Sequence, residues 1–166
     1  SILIIDNDGI ARKFLESILT AAGYSCHEAG SAEKAMEQLA RSATELVILD
    51  SRMRGRSTEG GLLTEIKEVY PDAAVLITTA NTDGDTITRS LKEGAQDYIL
   101  KPFDLDEMIP NVDRAVRVMR LKLELKRYQQ YLENKVVAQS KEIRELLLGI
   151  IESLISVLEA KDRYMA

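Results

Sequence analysis

Five short runs, four of them largely apolar, punctuate the first hundred residues: Ile2–Ile5, Tyr24–Ala29, Leu46–Leu49, Ala74–Thr78 and Asp97–Leu100. Their length and flanking turn residues predict strands. Tyr24–Ala29 is the weakest and reads as an edge. Between the runs, apolar residues recur at helical spacing. Ile10, Phe14, Ile18 and Leu19 mark a first helix that Gly23 stops. Ser31 caps a second, with Ala32, Ala35, Met36 and Leu39 on its apolar face. Leu62, Leu63, Ile66 and Val69 mark a third around Gly61–Val69, and Pro71-Asp72 is a turn. A fourth covers Thr82–Glu93 and ends at Gly94. Strict strand–helix alternation, five times over, predicts a parallel sheet with helices on both faces and right-handed crossovers.

From Leu105 onward no strand pattern returns. Asp104 can cap the helix start, and acidic residues in the first turn suit the helix dipole. Pro110 should kink this helix or mark a later start. Leu121, Leu125, Tyr128 and Leu132 then follow heptad spacing. Val136, Gln139, Ile143, Leu146 and Ile150 resume it after a stutter. From Leu146 to Leu158 apolar residues surround the helix, which therefore needs partners on more than one side. If continuous, about 60 residues at about 1.5 Å each would span roughly 90 Å. The expected organisation is a domain over 1–118 and a helical, coiled-coil linker over 119–166 that makes a homodimer.

Composition narrows the possibilities. The 166 residues are 45% hydrophobic, enough for a real core, and with no Trp and two Phe that core is aliphatic. The net charge of −5 gives no electrostatic case for nucleic-acid binding. Residues 1–104 hold 11 basic and 17 acidic groups, so the acidic excess lies in the strand-bearing part. One cysteine, Cys26, excludes an intrachain disulfide and fits a reducing compartment. It and the single His27 read as ordinary strand positions. No apolar run approaches about 18 residues, so no membrane span is expected. The chain starts within its first strand without Met and stops within a helical pattern, as a piece of a longer protein would.

Chemistry enters at the strand ends. The first strand runs into Asp6, the third into Asp50, the fourth into Thr78-Thr79 and the fifth into Lys101-Pro102. Ligands of an open parallel sheet bind outside the carboxyl ends of its strands. A carboxylate there can attack phosphorus and form an acyl phosphate. A second carboxylate can help hold a hard divalent cation, and an ammonium can meet a phosphoryl oxygen. Taken singly, each acid could instead cap the helix that follows. Taken together, the four strand ends point to one phosphoryl-transfer site.

The segments ILIIDND, ELVILDSRM, VLITTA and GAQDYILKPF resemble the receiver domain of two-component response regulators over about residues 1–118. The resemblance implies a flavodoxin-like fold with strand order 2-1-3-4-5. It implies that Asp50 takes a phosphoryl group from a histidine kinase or phosphotransfer protein in the bacterial cytoplasm. It implies a pocket for Mg²⁺ (or Mn²⁺) formed by Asp6, Asp50 and the backbone carbonyl of Arg52. Thr79 and Lys101 would bind the phosphoryl group, with Pro102 after a cis bond. Tyr98 would swing inward and relay the signal to the face made by the fourth helix, fifth strand and fifth helix.

Three departures from the family pattern stand out. Asn7 replaces the second of two adjacent acids, although its amide still offers an oxygen and Asp8 follows. The loop after Asp50 is about two residues longer than usual before Gly60. That loop also carries Arg52, Arg54 and Arg56, so an Arg could reach the acid pocket. Arg52 and Asn81 would then tune the lifetime of the phosphate.

Other readings compete. A non-phosphorylated pseudo-receiver scaffold would explain Asn7 and the arginines. Asp6-Asn7-Asp8-Gly9 also resembles the start of haloacid-dehalogenase-type phosphatases, with Asp6 as nucleophile, but a late acidic pair is missing and Asp50 goes unexplained. Asn81–Asp85 looks faintly like a calcium loop but lacks the terminal Glu, and a helix start fits better. Finally, Leu158–Tyr164 resembles the entry to HD-GYP phosphodiesterase domains, whose metal ligands are not in this sequence. That likeness would make the output cyclic di-GMP hydrolysis. Nothing in the tail supports DNA contact.

Overall fold

β1 (Ile2–Ile5), β3 (Leu46–Asp50) and β4 (Ala74–Thr79) are buried along their whole length, as continuous apolar runs require of central parallel strands. β2 (Cys26–Ala29) and β5 (Asp97–Leu100) are only partly buried and form the edges. All five strands pair in parallel in the order β2-β1-β3-β4-β5, as expected. A computed structural model describes residues 1–55, 61–80 and 84–165 of the chain.

Strand alternation sends successive side chains to opposite faces. Leu3, Ile5, Val47, Leu49, Val75 and Ile77 share one core with α2 (Ala32–Arg41) and α3 (Leu62–Val69). Ile2, Ile4, Leu46, Ile48 and Leu76 point the other way. On that side the buried residues are Leu15 and Leu19 of α1 (Gly9–Ala21) and Met108, Val112, Ala115, Val116 and Met119 of α5 (Leu105–Met165). Ser31 caps α2 through Lys34 N, as its position suggested. α4 (Gly84–Lys92) differs from the rest: it buries no side chain. A cavity of about 290 Å³ lies beneath it, lined by Asp50, Met53, Leu62, Ile77, Thr86 and Ser90 among others.

The chain divides into two compact units, 1–121 and 122–166. In the first, α5 starts at Leu105 with Asp104 accepting from the Asp106 N–H. It runs through Pro110, so the proline does not mark a later start. Polar ties hold α5 to the segments that lead into β2 and β3: Tyr24 donates to Asp113, and Arg120 donates to Glu45 at 2.7 Å. The second unit is helix alone, and Leu125, Leu132, Val136, Ile143, Leu154 and Leu158 are exposed on it. Among the described residues, no helix is long and apolar enough to cross a membrane.

Arg120, with the Ser1 amine, holds the Glu45 carboxyl down to about 2. A depressed carboxyl contributes stability that is present above its ordinary value and is lost as pH falls through the folded one. Glu45→Gln is therefore expected to cost about 1 kcal/mol at pH 7, as a partly exposed pair does. The cost should vanish near pH 2, and urea melts at the two pH values check both halves.

Candidate functional site

Register brings the strand-end charges together. Ile5 pairs with Leu49, so Asp6 follows β1 directly beside Asp50 at the end of β3. Asp50 pairs with Thr78 of β4, and Thr79 pairs with Leu100, the residue before Lys101. Strand order reverses between β1 and β3, so both carboxylates flank the crevice where such sheets bind ligands.

Asp6 and Asp50 are 1% and 2% exposed, which puts two negative charges out of water side by side. Buried charges persist only when paired and hydrogen-bonded. Lys101 supplies the pairing: its Nζ donates to Asp6 Oδ2 at 2.7 Å and to Asp50 Oδ2. Backbone donors fill the other oxygens. The Asp8 N–H reaches Asp6 Oδ1 at 2.9 Å, and the Arg52 N–H reaches Asp50 Oδ1 at 2.8 Å. Burial opposes the charged form of Asp50, but Lys101 and Arg52 outweigh it and hold the carboxyl below its usual range. Burial likewise opposes the charged Lys101, and Asp50 and Asp6 outweigh it, raising the ammonium above its ordinary value.

Arg52 adds a second cation. Its Nε donates to Asp50 Oδ1 at 3.3 Å and its Nη2 to Oδ2 at 3.5 Å, so the guanidinium forks across both oxygens from an exposed position. The remaining predicted residues fall around this centre. Thr79 is buried at the end of β4, and Tyr98 is half-buried against the α2–α3 core. The Lys101–Pro102 peptide is cis. Asn7 is exposed. Asp8 caps α1, its Oδ1 accepting from the Ile10 and Ala11 N–H groups. Asn81 and Arg56, and most of the calcium-like loop, lie outside the described residues.

The pattern of apolar runs gave no sign of Arg12. Its Nη1 donates to the Asp6 carbonyl at 2.6 Å and its Nε to Glu28 at 3.2 Å, bracing the loop that carries Asp6 against β2. Gly30 makes room for it: a Cβ there would lie 3.1 Å from Arg12 Nη1. An Arg one turn after the DNDG segment, facing a Gly after β2, is the only sequence trace of this brace. Phe103 carries no signal in that pattern either. It stacks on Phe14 with centroids 6.2 Å apart, and Lys101 Nζ lies 5.8 Å from its ring.

The donor set fits a hard divalent cation. Asp6 and Asp50 present oxygen donors that already converge on one cation, and hard dications take oxygen ligands. Among the described residues, however, no group of three or more His, Cys, Asp or Glu is arranged to hold a metal. The site thus offers two carboxylates and would draw its other ligands from neutral oxygens.

Comparison with known proteins agrees with this fold. The family described as response regulator receiver domain matches residues 2–113. The DNA-binding transcriptional regulator NtrC of Klebsiella pneumoniae is 38% identical over 113 residues, 68% of this chain. The chain spans about a quarter of that regulator's length, 24%. The solved receiver domain of NtrX from Brucella abortus superposes with a TM-score of 0.66 at 30% identity, covering 70% of this chain and 98% of that one. The signal receiver domain of an HD domain-containing protein from Pseudomonas fluorescens Pf-5 gives a TM-score of 0.67 at 26% identity, covering 74% and 90%.

Proposed function

The chain belongs to the response regulator receiver domain family, and on that premise we propose that Asp50 is the phosphoacceptor of a two-component signalling switch. The donor is a histidine kinase or phosphotransfer protein in the bacterial cytoplasm. The observation that carries this is the buried Asp50 carboxylate at the β1–β3 crevice, kept ionised by two cations. An ionised oxygen can attack the phosphorus of a phosphohistidine. The new O–P bond forms as the P–N bond breaks, and the electron pair leaves with the imidazole, which takes a proton from water. Burial keeps bulk water from the resulting acyl phosphate.

Asp6, Asp50 and the Arg52 carbonyl would hold Mg²⁺ (or Mn²⁺), with Asn7 or the second oxygen of Asp8 available beside them. The ion supplies neutralisation of charge on the phosphoryl oxygens. Once phosphate is on Asp50, Lys101 keeps Asp6 and gains a phosphoryl oxygen, while the Thr79 hydroxyl donates to another. Tyr98 follows inward. The cavity beneath α4 leaves space for that helix to resettle, so phosphate shifts a population on the α4–β5–α5 face. Arg52 and Asn81 tune how long the phosphate lasts.

The exposed apolar seam of α5 supports a homodimer formed through the helix. The resemblance of Leu158–Tyr164 to an HD-GYP entry, and the likeness to a receiver from an HD domain-containing protein, favour cyclic di-GMP hydrolysis as the output. The competing reading is a scaffold that is never phosphorylated, favoured by the neutral Asn7 and by Arg52, Arg54 and Arg56. Incubation with Mg²⁺ and acetyl phosphate, followed by intact mass measurement, decides between them. One added phosphoryl group, lost in base, is expected. An unchanged mass at high donor concentration would establish the scaffold.

A further inference from the structure

Both oxygens of Asp50 already carry an N–H of the Arg52 guanidinium, and we infer that Arg52 is a built-in cation that must leave Asp50 before a divalent cation can take it. The inference rests on the metal-assisted reading above and concerns how that site is regulated. The buried carboxylates of Asp6 and Asp50 face two cations, Lys101 and Arg52, so the pocket is close to charge balance from its own side chains. Asn7 is neutral where a further carboxylate would have tipped the balance toward metal. Asp8, the nearest other acid in sequence, has one oxygen on the α1 cap.

The two cations are not equivalent. Lys101 is mostly buried, its side chain 16% exposed, and it bridges two carboxylates, so removing it leaves both unpaired. Arg52 is 65% exposed and, among the described residues, bonds to Asp50 alone, through long bonds of 3.3 and 3.5 Å. It can swing into water at little cost, while its backbone N–H keeps Asp50 Oδ1 in place. Metal binding is therefore an exchange of one tethered positive charge for a free dication. The chain sets its metal threshold through the side chain two residues past the phosphoacceptor.

The test reads Mn²⁺ binding directly, from the loss of the free aqueous Mn²⁺ resonance on titration, and needs no phosphodonor. Arg52→Met should tighten Mn²⁺ binding about threefold, the range in which an exposed ion pair competes. Arg54→Met removes the same charge from the same loop, but Arg54 has no contact with Asp50 among the hydrogen bonds of the site, and its Mn²⁺ affinity should match the parent. Asp50→Asn in the Arg52→Met background should abolish the gain. Equal affinity in the parent and Arg52→Met overturns the proposal, as does the same gain in Arg54→Met, which would make it a general effect of loop charge. No Mn²⁺ binding in either the parent or Arg52→Met overturns it too. The phosphoacceptor assignment stands or falls separately, on the acyl phosphate mass.

Discussion

Asp50→Asn is expected to lose all base-labile phosphate incorporation from acetyl phosphate, whereas Asp6→Asn should retain it at Asp50 with a slower rate. An amide oxygen cannot become an acyl phosphate at this position, so the first loss is complete rather than partial. In the proposed mechanism Asp6 would contribute charge and metal affinity without bonding to phosphorus, so its loss should slow the step. The amide introduced by Asp50→Asn keeps an oxygen for the Arg52 N–H, which in the parent reaches Asp50 Oδ1 at 2.8 Å. The fold should therefore survive, with a stability change within about 2 kcal/mol for one altered buried polar group. Intact mass of both variants decides the matter. A full adduct on Asp50→Asn that disappears in Asp6→Asn would assign the nucleophile to Asp6, as the phosphatase-like reading of Asp6-Asn7-Asp8-Gly9 supposed.

Lys101→Met should cost about 3 kcal/mol of stability at pH 7, because removing one partner of a buried ion pair leaves the other charge uncompensated. Here two carboxylates are left, each 1% exposed at the side chain, and among the described residues only the exposed Arg52 pairs with one of them. The pH dependence has a definite sign. In the parent protein, the depressed Asp50 carboxyl contributes stability above the ordinary carboxylate range and loses it as pH falls through the folded value. The raised Lys101 contributes below the ordinary lysine range and loses it as pH rises through its folded value. Between those limits the parent should be flat. Without the ammonium, the adjacent carboxylates repel and one of them takes up a proton more readily. Lys101→Met should accordingly be more stable at pH 5 than at pH 8, and Mg²⁺ should raise its melting temperature more than that of the parent. Urea melts at both pH values test this, and a variant as stable as the parent at pH 8 would refute the bridging role of Lys101.

The sheet and the strand-end charges were legible because both follow short-range rules. A fully apolar run of four or five residues is a buried strand, and a charged residue at its end must sit at the rim. Three such runs and two weaker edge strands, in alternation with helices, leave few ways to order the sheet. Pro110 misled in part because a proline within a helix loses a hydrogen bond and clashes with the preceding turn. Met108 and Val112, buried on either side of it, hold α5 on the sheet regardless, and the exposed ring lies near the helix start. The contacts of Arg12, Asp8 and Arg52 had no periodic signature. Asp8 could have turned toward the metal pocket or toward the helix, and its position in sequence is the same either way. Arg52 could have pointed into solvent with Arg54. Such choices depend on rotamers and on distant residues, Gly30 for Arg12 above all, so the tertiary fold decides them.

The lightly seated α4 has a consequence for signalling gain. An element with no buried side chain is held by a small free energy, and small free energies leave alternative states occupied. If its resting position is favoured by about 1.5 kcal/mol, roughly one molecule in ten already presents the active face without phosphate. In the proposed switch the output would then have a basal leak, and phosphate would raise it only about tenfold before saturation. Apolar substitutions at Thr86 or Ser90, whose side chains line the cavity, would deepen the seat, silence the leak and widen the dynamic range, at the cost of a stronger input being needed to trip the switch.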